Sequence, residues 1–197
     1  MADTLIFVDG ENLSIRYQEM IKAGRVPAPD NIVIENCFVW NPRILLDASW
    51  DIKRLAYYTS VVGDDKKISA VREKISSIFF SCQSGAGDHT RTTTGQFVPF
   101  VRKKSSRSKK ESVCDIAIAV DVMRECYRDH ADTIWVFSGD GDFIQLFQEV
   151  VHSGKRAYAS ALSSGLNSEI RFVVDEFRLL DKYFFVEEPA SSTGSTV

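Results

Sequence analysis

The sequence predicts an α/β fold in which a parallel β-sheet is covered by helices on both faces. Strand-like and helix-like segments alternate along the chain, and the strand-like ones are short apolar runs typical of buried parallel strands. The first run ends on Asp9. These runs cover residues 4–9, 54–62, 133–137 and 156–161. The 197 residues suffice for one domain with a full core.

Apolar residues at helical spacing predict the connecting helices. They cover residues 11–23, 65–80, 113–127, 143–151 and 165–181. The third of these is apolar nearly all round, which predicts burial on most of its sides. Because parallel sheets bind ligands at the carboxyl ends of their strands, the residues that directly follow the strands are the first candidates for a functional site.

We predict one domain over residues 1–186 and a disordered tail over residues 187–197, where small and polar residues predominate. Within the domain, residues 84–112 are expected to form a basic hairpin or loop. The aromatic-rich segment 31–50 has no clear periodicity. Its large side chains either cover the core or contact a second copy of the chain, so a homo-oligomer is possible. These side chains are Phe38, Trp40 and Trp50.

Composition excludes several classes of protein. The net charge of −3 gives no global basic signature. Four cysteines without CxxC spacing argue against a disulfide framework or a zinc site and predict reduced thiols. The first residues lack the pattern of a secretory signal, and no apolar run approaches the ~18 residues of a membrane helix. We therefore expect a cytoplasmic protein without a membrane partner.

Four carboxylates are predicted to lie at or near the carboxyl edge of the sheet. Asp9 ends the first strand, Asp140 and Asp142 follow a later one, and Asp115 lies at the start of the helix over 113–127. Three of them have a structural alternative, since Asp115 suits a helix dipole and Asp140 and Asp142 suit a turn or a helix cap. Together, however, these charges repel one another, and a divalent cation relieves that repulsion.

Mg²⁺ or Mn²⁺ fits such a set, because both prefer oxygen ligands. Two such ions can activate a water and stabilise the leaving oxygen of a displacement at phosphorus. Asn12 either bonds Asp9 or serves the helix start. Gly139 and Gly141 would let backbone N–H groups approach a phosphate. The histidines lie elsewhere and are predicted to be surface or structural residues. They are His89, His130 and His152.

Five segments together resemble the NYN domain, a branch of the PIN-like nuclease superfold. They are FVDGEN (7–12), VCDIAIAVDVM (113–123), WVFSGDGDF (135–143), GKRAYA (154–159) and VDEF (174–177). They follow the order of the family over most of the chain. The resemblance implies a Rossmann-like (PIN-like) domain with strand order 3-2-1-4-5, in which Asp9 and Asp140 face each other. It also implies a metal-dependent ribonuclease.

The resemblance further implies a set of site residues. Catalysis and binding of Mg²⁺ or Mn²⁺ would rest on Asp9, Asp115, Asp140 and Asp142, with Asn12 and Ser138 in support. Asp121 matches another acid of the family, but it lies about 240° around the helix from Asp115 and is expected behind the metal ligands. The family often has Lys three residues before the helix acid. Ser112 stands there, so substrate contacts are expected to differ.

The segment RKKSSRSKK, residues 102–110, contains six basic residues shortly before Asp115. It is a solvated loop, a localisation signal or an arm that gathers substrate phosphates. We favour the arm. Its RNA contacts are expected from Arg102, Lys103, Lys104, Arg107, Lys109 and Lys110. The nearby Phe97 and Phe100 either stack on unpaired bases or pack within a hairpin.

The sequence thus predicts a metal-dependent endoribonuclease that hydrolyses phosphodiester bonds of single-stranded or structured RNA. The alternative is a catalytically silent RNA- or protein-binding module that retains the fold. A phosphatase of the haloacid dehalogenase type is disfavoured, because that chemistry needs a second Asp two residues after Asp9, where Glu11 stands.

Overall fold

A computed structural model describes residues 3–46, 51–84, 91–104 and 113–186. Its strands are β1 (Asp3–Asp9), β2 (Ile32–Ile34), β3 (Phe38–Trp40), β4 (Asp51–Val61), β5 (Phe79–Ser84), β6 (Arg91–Lys103), β7 (Thr133–Phe137), β8 (Arg156–Ala161) and β9 (Glu176–Leu179). Its α-helices are α1 (Gly10–Lys22), α2 (Asp65–Ser76), α3 (Val113–Arg128), α4 (Ile144–His152) and α5 (Asp181–Phe184). Short 3₁₀ helices cover Pro42–Leu45, Gly141–Phe143 and Ser168–Phe172.

A mostly parallel sheet organises the described residues, with strand order β5-β6-β4-β1-β7-β8-β9. Its neighbouring strands are parallel, except that β5 and β6 are antiparallel. The predicted order 3-2-1-4-5 corresponds to β6-β4-β1-β7-β8 and is confirmed. Because Val8 of β1 pairs with Phe137 of β7, the two strands end side by side.

Alternate side chains of the central strand β1 enter two separate apolar clusters. Ile6 and Val8 belong to a cluster shared with α1 and α2, whereas Leu5 and Phe7 belong to a cluster shared with α3 and α4. This burial explains why β1 is a continuous apolar run in the sequence. Because the middle of β1 is packed on both faces, a polar side chain that serves a functional site is expected at the end of the strand, where Asp9 lies.

Two predictions about secondary structure are wrong in part. The helix expected over 165–181 is replaced by a 3₁₀ helix, the strand β9 and the short helix α5, and β9 extends the sheet beyond β8. The helix expected over 65–80 ends at Ser76, and the strand β5 begins at Phe79, inside the predicted range. Apolar spacing over so few residues suits a helix and a strand equally.

Helix α3 packs through one face. Cys114, Ile118 and Val122 are buried, whereas 63% of Ile116 and 49% of Val120 are exposed. The prediction of burial on most sides of this helix is therefore wrong. Its main packing partners are β1, β4 and α4, which cover only the inward side.

The aromatic-rich segment 31–50 covers the core. Strands β2 and β3 form a separate hairpin, and Phe38 and Trp40 are buried against the ring of Phe97, with ring centroids 5.3 and 5.2 Å away. These two side chains are therefore not offered to a second copy of the chain. Trp50 lies outside the described residues.

The remaining predictions concern residues that the structure describes only in part. All four cysteines are buried free thiols, as predicted. His130 and His152 are exposed, and His89 lies outside the described residues. Within the described segments, no helix is long and apolar enough to cross a membrane. Of the predicted hairpin or loop at 84–112, residues 84 and 91–103 belong to β5 and β6, and the predicted tail lies outside the described residues.

Candidate functional site

Asp9 is both the last residue of β1 and the N-cap of α1. Its Oδ1 accepts a hydrogen bond of 3.0 Å from the backbone N–H of Asn12, which satisfies one of the donors that a helix start leaves unpaired. Asn12 therefore contacts Asp9 through its main chain. Only 2% of Asp9 is exposed. Strand and helix thus meet at a buried carboxyl group.

The surroundings of Asp9 oppose its charge. Burial is the largest cause and raises the pKa of Asp9 from 3.8 to about 7, and the charges of Asp115 and Glu11 add to the rise. Hydrogen bonds from the Asn12 N–H and the Ser138 hydroxyl lower the pKa but do not offset burial. Burial therefore favours the protonated form of this carboxyl group, whereas a nearby cation would favour its charged form.

Ser138 links Asp9 to the loop that follows β7. Its hydroxyl donates a hydrogen bond of 2.9 Å to Oδ2 of Asp9 and accepts one of 3.2 Å from the Asp140 N–H. Asp140 Oδ1 accepts a bond of 3.0 Å from the Asp142 N–H, which caps the following 3₁₀ helix. Asp140 is half-buried and Asp142 is exposed. The ends of β1 and β7 are thus joined through one buried serine.

Close packing restricts the glycines at this edge. A Cβ on Gly10 would lie 2.0 Å from the ring of Tyr57, and a Cβ on Gly139 would lie 3.2 Å from the backbone that follows β8. Gly10 therefore lets α1 start directly against β4. The N–H groups of Asp140 and Asp142 bond within their own loop, and the approach of Gly139 and Gly141 to a phosphate stays a prediction.

Asp115 belongs to the same electrostatic neighbourhood as Asp9. It lies half-buried in the first turn of α3, beside the buried thiol of Cys114. Burial first, and then three nearby carboxylates, raise the pKa of Cys114 to about 12. These carboxylates belong to Glu11, Asp9 and Asp115, and the Lys104 ammonium acts in the opposite direction. Asp9, Asp115, Glu11 and Lys104 are therefore all near enough to influence one buried thiol.

Glu11 and Lys104 form an ion pair that the sequence does not predict. Lys104 Nζ donates to Glu11 Oε1, and the Ser60 hydroxyl donates a bond of 2.5 Å to Glu11 Oε2. The side chains of Lys104 and Glu11 are only 9% and 20% exposed. Lys104 follows β6, and its N–H bonds the carbonyl of Val61 on β4. Because 93 positions separate the two partners, no local sequence pattern indicates this pair.

Comparison with known proteins identifies the family. The sequence matches the NYN domain over residues 3–181, which is nearly the whole chain. The chain belongs to the NYN domain family. NYN domains form a nuclease-like family, and NYN and PIN-like nucleases generally use divalent metals.

A solved structure is similar to this NYN domain in fold. It is the crystal structure of a protein of unknown function from Vibrio parahaemolyticus, with a TM-score of 0.60 and 14% sequence identity. The match covers 94% of this chain and 96% of that chain. At this level of identity the likeness shows the fold alone. No curated protein matches the sequence.

The acidic site of this NYN domain fits a hard cation held by few protein ligands. Mg²⁺ usually binds one or two carboxylates and takes waters and substrate phosphates as its other ligands. Asp9 and Asp115 lie near enough for the charge of Asp115 to raise the pKa of Asp9. Among the described residues, no group of three or more His, Cys, Asp or Glu side chains could hold a metal ion. The four predicted ligands therefore do not converge as a closed cage.

Asp121 is engaged by protein donors. The Tyr58 hydroxyl donates a hydrogen bond of 2.8 Å to Asp121 Oδ2, and the Arg124 guanidinium donates to Oδ1. Burial, together with the bond to Asp121, raises the pKa of Tyr58 well above its usual range. Asp121 therefore ties α3 to β4, and its place behind the predicted metal ligands stays a prediction.

The basic residues predicted to gather phosphates differ in their surroundings. Arg102 and Lys103 are exposed at the end of β6, where Lys103 Nζ lies 3.9 Å from an Asp65 carboxylate oxygen. Lys104, in contrast, is buried against Glu11. The other three lie outside the described residues. They are Arg107, Lys109 and Lys110.

Both aromatic residues considered for base stacking pack within the protein. Phe97 is buried against Phe38 and Trp40. The ring of Phe100 stacks on the ring of Tyr58 with centroids 4.6 Å apart. Of the two alternatives for Phe97 and Phe100, packing within the protein is therefore the one that the structure shows.

Proposed function

We propose that this NYN domain is a metal-dependent endoribonuclease that cleaves single-stranded or structured RNA and is built as a single PIN-like domain with helices on both faces of the sheet. The observation that carries the proposal is the buried Asp9 carboxyl, which is joined through Ser138 to the loop of Asp140 and lies near the charge of Asp115. Capping alone does not require such burial, because exposed residues cap helices equally well.

Asp9 and Asp115 are the residues that would hold Mg²⁺ or Mn²⁺, with Asp140 and Asp142 available from the loop after β7. All four are oxygen donors, which is the chemistry that these cations prefer. When bound, such an ion supplies an activated water and stabilises charge on the leaving oxygen of the phosphodiester.

The protein's own contribution is to fix the carboxylates before substrate arrives. The Asn12 N–H and the Ser138 hydroxyl each bond one oxygen of Asp9, so the orientation of this carboxylate is set. Lys104 compensates the charge of Glu11, which reduces the repulsion of a polyanionic substrate. Arg102 and Lys103 are exposed at the end of β6 and would contact phosphates of the RNA.

One observation favours the second candidate, a silent RNA- or protein-binding module. Within the described part of the chain, no group of three carboxylates converges on one position. A module of this kind would bind RNA and leave it intact in the presence of Mn²⁺.

Cleavage of a labelled RNA with single-stranded and hairpin parts tests the proposal. Wild type is compared in Mn²⁺ with Asp140→Asn and with Asp132→Asn, a control at the opposite end of β7. Asp132 accepts a hydrogen bond from the Asp3 N–H, which Asn can also accept. We expect Asp140→Asn to slow cleavage at least about tenfold, and Asp132→Asn to leave it unchanged.

The outcome separates the two candidates. A folded Asp140→Asn protein that cuts RNA as fast as wild type would contradict the proposed site. Wild-type protein that binds the RNA but yields no product in Mn²⁺ would favour the silent module.

A further inference from the structure

A cleft of about 650 Å³ opens beside the ion pair of Glu11 and Lys104. It is bounded by α1, by the β2–β3 hairpin, by α2 and by the residues that end β4. Glu11, Ser60 and Lys104 line one end of it, and Glu11 lies two residues after Asp9. This cleft, which we call the α1–α2 cleft, therefore runs up to the buried ion pair at the edge of the candidate active site.

Two lysines of α2 make one wall of the cleft cationic. Lys67 and Lys74 are exposed and lie seven residues apart, which places them on one face of the helix, about 10 Å apart along its axis. Burial raises the pKa of Cys37, a residue that also lines the cleft, and the ammonium groups of Lys67 and Lys74 act in the opposite direction. Lys67 Nζ donates one bond of 2.9 Å to the Val62 carbonyl and retains two further donors.

The acids that line the cleft do not cancel this charge. The charge of Glu11 is already compensated by Lys104. The remaining charged residues of the lining are the acid Glu35 and the two bases Lys67 and Lys74. The α1–α2 cleft thus carries an excess of positive charge, although the whole chain has a net charge of −3.

Apolar and amide groups form the rest of the lining. Ile15 and Val33 are 46% and 50% exposed, and both face the cleft. Gln18 and Asn36 line the cleft as well, and their amide groups share a hydrogen bond of 3.3 Å. Apolar side chains can contact the faces of unpaired bases, amides can bond base edges, and cations can bind phosphates. The volume lies in the range of small-ligand sites.

We propose that the α1–α2 cleft binds a short single-stranded segment of the RNA substrate, with Lys67 and Lys74 on its phosphates and Ile15 and Val33 against its bases. This inference rests on the proposed function, since the RNA bound in the cleft would be the same RNA that reaches Asp9 and is cleaved there. The cleft selects unpaired RNA because its apolar wall needs base faces that a duplex does not expose.

Binding in EDTA tests the cleft independently of cleavage. Fluorescence anisotropy measures the Kd of an eight-nucleotide labelled RNA for wild type and for a Lys67→Gln/Lys74→Gln double variant, at several salt concentrations. Gln preserves most of each side chain's length and removes its charge. The control is Lys66→Gln/Arg72→Gln, which removes two exposed charges from other positions of the same helix.

We expect the Lys67→Gln/Lys74→Gln protein to bind about tenfold more weakly, with the slope of log K against log salt reduced by roughly 1.4, since each phosphate contact to a single strand contributes ~0.7. The control should bind like wild type. Equal affinity and salt slope for wild type and the cleft variant would overturn the inference, as would a wild type that binds no RNA.

Failure of the proposed function gives a different pattern. If wild type binds RNA through the cleft but does not cut it in Mn²⁺, the cleft is upheld and the nuclease is rejected. If wild type cuts RNA and the cleft variant binds and cuts equally well, the nuclease is upheld and the cleft is rejected.

Discussion

The hydroxyl of Ser138 donates a 2.9 Å hydrogen bond to Asp9 across the boundary between β7 and β1. The same oxygen accepts the N–H of Asp140, so one serine sets the positions of both sides of the candidate site. Because this bond lowers the pKa of Asp9, its removal should raise that pKa further.

A Ser138→Ala variant should therefore shift the acid limb of the kcat/KM profile for RNA cleavage to higher pH, because Asp9 must be ionised to serve a cation. The control is Ser160→Ala, which removes the buried hydroxyl that accepts a 2.8 Å bond from the Trp135 indole. Each variant should lose about 1 kcal/mol of unfolding free energy. An identical shift of the pH profile in both variants would contradict the specific role of Ser138.

The raised pKa of Asp9 also predicts how stability depends on pH. The folded state holds the Asp9 proton up to about pH 7, whereas the unfolded state releases it near 3.8. Between these values the folded state binds more protons, so the unfolding free energy falls as pH rises. The full difference corresponds to roughly 4 kcal/mol as an upper bound.

Asp9→Asn should remove this dependence, because the amide does not titrate. Denaturant unfolding in EDTA should show the variant gaining stability relative to wild type from pH 5 to pH 8. Parallel stability curves for the two proteins over this range would show that Asp9 is not held in the buried, uncharged form.

The Glu11–Lys104 pair should contribute measurably to stability. Lys104→Met leaves the Glu11 carboxylate with only the Ser60 hydroxyl, and we expect a loss of about 2 kcal/mol, below the values for fully buried pairs. A double-mutant cycle with Glu11→Gln should give a coupling of about 1–2 kcal/mol. The exposed Lys103–Asp65 pair is the control, with a coupling below about 0.5 kcal/mol. Equal couplings for the two pairs would contradict the buried role of Lys104.

The bond between Tyr58 and Asp121 distinguishes a structural acid from a metal ligand. Tyr58→Phe should cost about 1 kcal/mol of unfolding free energy, because it removes the donor at Asp121 Oδ2. At temperatures where the variant stays folded, its rate of RNA cleavage should lie within about twofold of wild type. A large loss of activity without a loss of stability would place Asp121 among the residues that act on the substrate.

The position of Asp9 at the end of a strand could be predicted from the sequence, because buried strands and acidic turns are local patterns. The order of the central strands is implied only by the resemblance to the NYN family, since local patterns do not show which strands are neighbours. Strand β9 could not be predicted, since its four residues pair with β8 only after the chain has folded back. The exposure of Ile116 could not be predicted either, because apolar spacing does not show how many elements pack on a helix.

The partner of Lys104 illustrates the same limit within the site. In the sequence Lys104 belongs to a basic run, for which an arm that gathers phosphates is the favoured interpretation. The pairing of β6 with β4 brings the Lys104 side chain into contact with Glu11, although the two residues are 93 positions apart in the sequence. The lysines of the α1–α2 cleft could not be singled out from the sequence either, since exposed lysines on a helix are common. Only the tertiary structure brings them to the same cleft as the residues of β2.

Metal dependence of RNA cleavage tests the central claim most directly. Wild type and Asp9→Asn are incubated with a labelled RNA in Mg²⁺, in Mn²⁺, in EDTA, and in EDTA followed by excess Mn²⁺. We predict products from wild type in Mg²⁺ or Mn²⁺, none in EDTA, recovery after Mn²⁺ is restored, and no products from folded Asp9→Asn. Intact RNA in every wild-type lane, or equal cleavage by wild type and Asp9→Asn, would contradict an acidic metal site centred on Asp9.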